Sequence, residues 1–208
     1  PIPSRGLGDV YKRQEYKQYI EIIMITKLEN SFLYFCQTDE DKNYFDNSLI
    51  YLCKNDSDGS FGLIINKKIS INLKDFSLDS DTELEDFLNN ERVYLGGPVS
   101  PFTPFVLHTL EKKFEDTHEV APNIGFSSKA DVIQTILQKK YPKKFIVSFG
   151  YTGWSPGQLE KEISQGSWII IPANEQIIFS TNSDKKVEEA SKLAGFNLDL
   201  VSNNYGKA

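Results

Sequence analysis

The chain has 208 residues, of which 39% are hydrophobic and 25% charged, and its formal net charge is −6. These values are typical of one globular domain with a sizeable core. The acidic balance disfavours direct nucleic-acid binding, because phosphate recognition normally uses a basic surface. No apolar run approaches the roughly 20 residues that cross a bilayer, and we expect a cytoplasmic protein without a membrane partner.

The beginning of the chain differs from the remainder. Pro1 to Gln14 show no periodicity, and Met24 is the only methionine. The stretch resembles sequence that is found fused ahead of unrelated proteins. We therefore hypothesise that translation starts at Met24 and that residues 1–23 are not native, with a natural disordered extension as the alternative. Residues 24–208 are expected to form a single domain.

Short β-branched and aromatic runs predict a strand-rich fold after Met24. A polar loop that ends in Asp58-Gly59 joins two of these runs and indicates a β-hairpin. Cys36 and Cys53 lie in strand-like runs without metal-binding spacing, so we expect buried free thiols. The predicted strands are Phe32–Cys36, Leu49–Cys53, Phe61–Ile65, Arg92–Leu95, Pro104–Leu107, Phe145–Phe149 and Trp168–Ile171.

Helical spacing is found in fewer places. Asp81 to Asn89 carries apolar residues at helical intervals, and a second helix is expected after a cap at Ser127 or Ser128. A last helix is predicted from Asp184 to Ala194, ending before a glycine. Strands that are paired by hairpins, with helices inserted later, indicate an α+β fold.

The most informative segment is Gly150–Gln158, with the sequence GYTGWSPGQ. It follows a predicted strand, and we expect a turn that presents Trp154 to solvent. Ser155 is predicted to cap the next helix, with Pro156 as its first residue and Gln158 completing a capping box. The helix is expected to end at a left-handed Gly166 before another strand.

A second glycine-rich bend lies earlier in the chain. Gly96 and Gly97 permit a close backbone approach, and Pro98 fixes the direction of the chain towards His108. We expect this bend to meet the Gly150 segment in space, with the indole of Trp154 between them.

Together these motifs resemble the AlgH family, also called YqgE-like, of bacterial cytoplasmic proteins. The resemblance covers roughly residues 27–208 and rests on three motifs. It implies an α+β fold with a bifurcated, largely antiparallel sheet that is partly closed into a small barrel and surrounded by helices. The family name implies a regulatory role in alginate production, but no settled reaction. The three motifs are Gly96-Gly97-Pro98-Val99 with His108 downstream, Gly150–Leu159 with Glu160 and Glu162, and Ser167-Trp168.

Catalytic motifs are missing from the sequence. It contains two histidines and no nucleophile elbow, Walker lysine loop or dinucleotide fingerprint, so no cofactor and no metal are expected. One enzymatic alternative stays open, in which His108 acts with Glu160 or Glu162.

We interpret the chain as a non-catalytic binding protein, with a regulatory role, that recognises a small ligand or a protein at a Gly/Trp-rich surface. The alternatives are the enzyme based on His108, an indirect transcriptional regulator, and a purely structural role for the motif residues. The partner and the oligomeric state are not encoded in a recognisable motif. The candidate binding residues are Gly96, Gly97, Pro98, His108, Gly150, Tyr151, Gly153, Trp154, Pro156, Gln158 and Trp168.

Overall fold

The structure is a computed structural model that describes residues 28–35, 43–76, 91–138 and 142–195, together with Gln14 and Gln18. Three sequence predictions lie outside these residues: the helix at Asp81–Asn89, the burial of Cys36, and the non-native status of residues 1–23. The last of these stays a hypothesis. Cys53 is buried and unpaired, as expected.

The described residues form ten strands, and each predicted strand is present. The hairpin at Asp58-Gly59 is confirmed, and two strands are much longer than predicted, namely the sixth and the ninth. The strands are β1 (Ser31–Phe35), β2 (Leu49–Asp56), β3 (Gly59–Ile64), β4 (Lys68–Asn72), β5 (Arg92–Leu95), β6 (Val99–Thr109), β7 (His118–Ala121), β8 (Ile124–Ser127), β9 (Phe145–Trp154) and β10 (Trp168–Pro172).

Four α-helices occur in the same residues, with short 3-10 turns at Leu73–Phe76 and Ser183–Lys185. The predicted cap at Ser127 or Ser128 is wrong. Lys129 is the N-cap without a side-chain bond, and Asp116 instead accepts the backbone N–H groups of Ser128 (2.6 Å) and Lys129 (2.9 Å). The helices are α1 (Ala130–Leu137), α2 (Gln158–Ser164), α3 (Glu175–Phe179) and α4 (Lys186–Ala194).

The strands form one large, mainly antiparallel sheet in the order β10-β1-β2-β3-β9-β6-β8-β7. The sheet divides at β9, because this strand borders β6 along one side and two different strands along the other. The first half of β9 pairs in parallel with β5, and β5 in turn pairs with β4. The second half of β9 pairs antiparallel with β3. The fold is therefore mixed α and β with a divided sheet.

The sheet is strongly curved but open. The ring of Phe61 on β3 lies 4.8 Å from that of Phe126 on β8, although β9 and β6 stand between these strands. In the described part of the chain, the strand order ends at β10 and β7 without a pairing between them. The predicted partial closure into a barrel is thus unconfirmed.

Both faces of the sheet are apolar. Successive residues of β1 show this, since Phe32 and Tyr34 belong to one core cluster and Leu33 to another. The face of Phe32 is covered by α3 and α4, through Ile178 and Ala190. The opposite face is covered by α2 beside β1–β3, and by α1 beside β6 and β9. Burial on both faces explains why the strands appear as continuous apolar runs.

Candidate functional site

The segment Gly150–Gln158 does not turn after a short strand as expected. β9 continues through it to Trp154, and Gly150 adopts a φ of 71° within the strand. The glycine therefore bends the strand at the point where its neighbour changes from β5 to β3. The prediction of a strand end at Phe149 is wrong, because pairing with β3 extends the strand beyond its most apolar stretch.

The two glycine bends meet, as the sequence predicted. Gly96 N–H donates to Phe149 O at 2.8 Å, and Gly96 O accepts Ile64 N–H at 2.9 Å. A Cβ atom on Gly96 would lie 2.2 Å from Gly150 O, and one on Gly97 would lie 2.1 Å from the backbone of Tyr151. The contact therefore needs glycine on both sides and fixes the division of the sheet. Pro98 is exposed beside it.

Trp154 is not presented to solvent. Its side chain is 7% exposed and Trp168 is 4% exposed, and their rings meet edge to face at 5.6 Å. Both indole N–H groups donate to the same oxygen, Glu162 Oε2, at 2.9 Å and 2.7 Å. The prediction of an exposed indole between the glycine bends is wrong, because α2 covers the ring and Glu162 satisfies its only donor.

The start of α2 also differs from the prediction. The helix begins at Gln158 rather than Pro156, and it follows Gly157 at a φ of 74°. Half of the capping box is present, because Gln158 Oε1 accepts the N–H of Ser155 at 3.0 Å. The predicted left-handed Gly166 is confirmed at a φ of 79°. Gln158 Nε2 also donates to Glu162 Oε1 at 2.9 Å, which ties the segment to the tryptophan pair.

An open groove of about 680 Å³ lies on the opposite face of the same strand end. Its floor is a row of three stacked rings, with Phe61 in the middle, 4.8 Å from both Phe126 and Tyr151. Phe105 adds an edge contact with Tyr151 at 5.5 Å. We call this surface the aromatic groove. Phe61, Phe126 and Tyr151 are only partly buried, so part of each ring is accessible in the groove.

The rim of the aromatic groove is polar. Lys54 lies on one side and pairs with Asp56 at 2.7 Å, and Asp58 and Ser60 continue this side. Gly153, Trp154 and Gln158 also line the groove. The aromatic groove thus combines an aromatic floor with charges of both signs at its margin.

β6 adds an exposed projection next to the groove. Its pairing with β9 shifts between Val99 and Pro104, so the residues between them bulge from the sheet. Val99 lines the groove, and Phe102 in the bulge is 91% exposed. Ser100 has a φ of 47°, which fits a tight, irregular conformation.

His108 does not line this surface. It is fully buried, its Nε2 lies 3.1 Å from Ser127 Oγ, and burial lowers its pKa. His108 pairs with Phe145 at one end of β9, whereas Glu162 binds Trp154 at the other end. His108 contacts Thr109 and Ser127, whereas Glu160 accepts from Asn55 and Glu162 accepts from the two indoles. These hydrogen bonds do not join His108 to either glutamate.

The described residues contain no group of three or more His, Cys, Asp or Glu side chains that could hold a metal ion. In the same residues, no helix is long and apolar enough to cross a membrane.

The predicted site residues fall into three sets. Five line the aromatic groove, four form or flank the glycine contact, and His108 and Trp168 lie elsewhere in the core. Sequence reasoning missed Phe61, Phe105 and Phe126 as site residues. It placed Phe61 and Phe105 in strands without a facing partner, and it assigned Phe126 to no strand or helix. For Phe61 and Phe105, the available signal was an aromatic residue within a predicted strand. The groove residues are Tyr151, Gly153, Trp154, Pro156 and Gln158; the contact residues are Gly96, Gly97, Pro98 and Gly150.

The fold and this surface define a mixed α and β protein with a divided sheet and an open aromatic groove. The sequence model of the family described as AlgH-like (DUF179) matches residues 33–199. The chain belongs to this AlgH-like family. A UPF0301 protein of Thiobacillus denitrificans is 36% identical over 72% of this chain and 81% of its own length. One of Shewanella oneidensis is 35% identical over 87% of this chain and 98% of its own length.

Solved structures agree with the fold. The solution structure of the AlgH protein from Pseudomonas aeruginosa is 29% identical, with a TM-score of 0.70 over 88% of this chain and 97% of that one. Protein DIP2367 from Corynebacterium diphtheriae is 16% identical, with a TM-score of 0.64 over 84% of this chain and 91% of that one. The latter likeness concerns the fold alone.

Proposed function

We propose that the protein is a non-catalytic regulatory binding protein that recognises an extended segment of a protein partner in the aromatic groove. The single observation that carries the proposal is the accessible stack of Phe126, Phe61 and Tyr151 on the groove floor. Aromatic rings of this kind anchor interfaces, because they offer a large apolar area at a low cost in side-chain entropy.

The shape of the groove favours a peptide over a small ligand. A site for a small molecule normally encloses most of the ligand surface, whereas this groove is wide and open to solvent. A peptide that places an aromatic or aliphatic side chain against the accessible edges of this stack would bury the floor. Its flanking residues would face the charges of Lys54 on one rim and Asp58 nearby.

The position of Gly153 allows a steric test. Gly153 is exposed opposite Phe61, and a Cβ atom there would lie 2.9 Å from the ring edge of Tyr151. Gly153→Arg therefore displaces this ring and fills the groove. Gln165→Arg adds the same side chain at an exposed residue beyond α2 that does not line the groove, and serves as the matched control.

The experiment selects peptides from a random display library on the unmodified protein and measures the binding of the enriched peptides by calorimetry. We expect enriched sequences with an aromatic or large aliphatic residue. Their affinity should fall at least about 10-fold in Gly153→Arg and stay unchanged in Gln165→Arg. Peptides that bind both variants equally well, or the absence of any enriched sequence, would contradict the proposal.

A further inference from the structure

A second cavity shares no lining residue with the aromatic groove. It has a volume of about 290 Å³ and lies between β4, β5, the start of β9 and the connection from α3 to α4. Charged and aromatic side chains meet there, namely Lys68, Glu91, Tyr94 and Lys186. Residues 180–183 add the hydroxyl and amide groups of a Ser-Thr-Asn-Ser sequence.

Lys186 is the unusual member of this set. It is 1% exposed, and its Nζ donates to Ile178 O at 2.5 Å. The same nitrogen lies 5.3 Å from the centroid of the Tyr94 ring. Lysine is almost never fully buried without a carboxylate partner, and here the hydrogen-bond acceptor is a neutral carbonyl.

A second lysine lies on the same ring. Lys68 Nζ is 5.8 Å from the centroid of Tyr94. Burial, and to a smaller extent the charge of Lys68, lowers the pKa of Lys186 to about 7. A lysine that is desolvated and next to another cation carries a free amine near neutral pH, which is the form that attacks carbonyl carbon.

We propose that Lys186 is the nucleophile of a covalent binding site for a small carbonyl compound that also carries a carboxylate, such as a 2-oxo acid. This site is independent of the aromatic groove. The carboxylate of the ligand would face Lys68, and the carbonyl carbon would face Lys186. A cavity of about 290 Å³ restricts the ligand to a small molecule.

The covalent step is a condensation without oxidation or reduction. The lone pair of Lys186 Nζ forms a C–N bond to the carbonyl carbon, and the oxygen takes up a proton. The resulting carbinolamine then loses this oxygen as water together with the remaining amine proton, which leaves a C=N bond. Burial raises the pKa of Glu91, and a carboxyl group that holds its proton more tightly suits the delivery of a proton to the departing oxygen.

The charged side chains that line the cavity favour a ligand that carries a carboxylate. When Lys186 is a free amine and Glu91 holds its proton, Lys68 is the remaining charged side chain among the residues that line the cavity, so an anionic ligand balances it. Burial raises the pKa of Tyr94 to about 12, so its hydroxyl group stays protonated and able to donate a hydrogen bond.

Reductive trapping tests the proposal on the full chain. The protein is incubated with pyruvate and sodium cyanoborohydride at neutral pH, and the labelled lysines are identified by peptide mass mapping. Lys185, the preceding residue, is exposed and serves as the internal reference. We expect Lys186 to be labelled at least about 10-fold faster than Lys185. If Lys185 is labelled faster than Lys186, labelling follows solvent exposure and the proposal is overturned. This comparison needs no variant.

Two further comparisons define the ligand class. Acetone has the same methyl ketone as pyruvate without its carboxylate, so it should label Lys186 at least about 10-fold more slowly. Lys68→Met should remove this preference, whereas Lys185→Arg should leave it unchanged. Lys186→Arg should abolish the trapped product. Equal rates of labelling by acetone and pyruvate would refute a role for the ligand carboxylate in binding. An undiminished amount of trapped product in Lys186→Arg would refute Lys186 as the nucleophile.

Discussion

The two faces of the sheet at the end of β9 use aromatic residues in opposite ways. On the α2 face, Trp154 and Trp168 are buried and share the carboxylate of Glu162. On the groove face, Tyr151 and Phe61 stack in an open row. Neighbouring residues of one strand thus serve stability on one side and offer a surface on the other. The buried aromatic residues differ from the accessible ones because a helix covers them and supplies a hydrogen-bond acceptor. The presence of aromatic residues alone does not separate the two roles.

The largest expected effect tests the buried side of this comparison. Trp154→Ala should lower the free energy of unfolding by about 3–5 kcal/mol, because it removes a packed ring and leaves Glu162 with one donor fewer. Tyr151→Ala removes a partly exposed ring and should cost clearly less, about 1–2 kcal/mol. Denaturant titration of both variants measures the difference. Equal losses would mean that the two faces are not distinct.

The shared carboxylate gives a second, smaller effect. Glu162→Ala should cost about 2–3 kcal/mol, since two buried indole N–H groups lose their acceptor. The near-ultraviolet circular dichroism of the tryptophans should change in parallel. Glu160→Ala on the same helix is the control for the loss of a carboxylate, because Glu160 accepts from Asn55 and not from either indole. A loss in Glu162→Ala no larger than that in Glu160→Ala would remove the hydrogen-bond explanation.

Lys186 belongs to α4, which covers another part of the sheet face that forms the aromatic groove. The lowered pKa of Lys186 makes the stability of the protein depend on pH. Between the folded pKa of about 7 and the ordinary value of 10.5, the unfolded state binds more protons. Stability due to this group therefore rises with pH in that window. We expect the wild-type protein to gain about 2 kcal/mol between pH 7 and pH 9 relative to Lys186→Met, as measured by denaturant titration. A constant difference across this range would contradict a lowered pKa.

The smallest effect is expected in the projection beside the groove. Phe102 is 91% exposed, so Phe102→Ser should change the free energy of unfolding by less than about 0.5 kcal/mol. Thermal unfolding of this variant and of the buried Phe105→Ser should differ strongly. A large loss in Phe102→Ser would show that the projection packs against the domain.

Local signals in the sequence identified much of the molecule. Seven of the ten described strands, the hairpin at Gly59 and the left-handed Gly166 were predicted, because β-branched runs and glycine turns depend on nearby residues. The strands β4, β7 and β8 were not predicted. Family motifs placed the chain in the AlgH-like family before the fold was known. The meeting of Gly96 with Gly150 also followed from the need for glycine at a close backbone approach.

Tertiary structure alone decided which faces of these elements are covered. Trp154 looked exposed because its flanking glycine and serine suggest a turn, but α2 folds back over the ring and supplies Glu162. Phe61 was predicted only as a strand residue and Phe126 was assigned to no element, because nothing local shows that curvature brings β3 to β8. Burial and facing partners depend on contacts between distant residues, and a strand pattern specifies only that its two faces alternate.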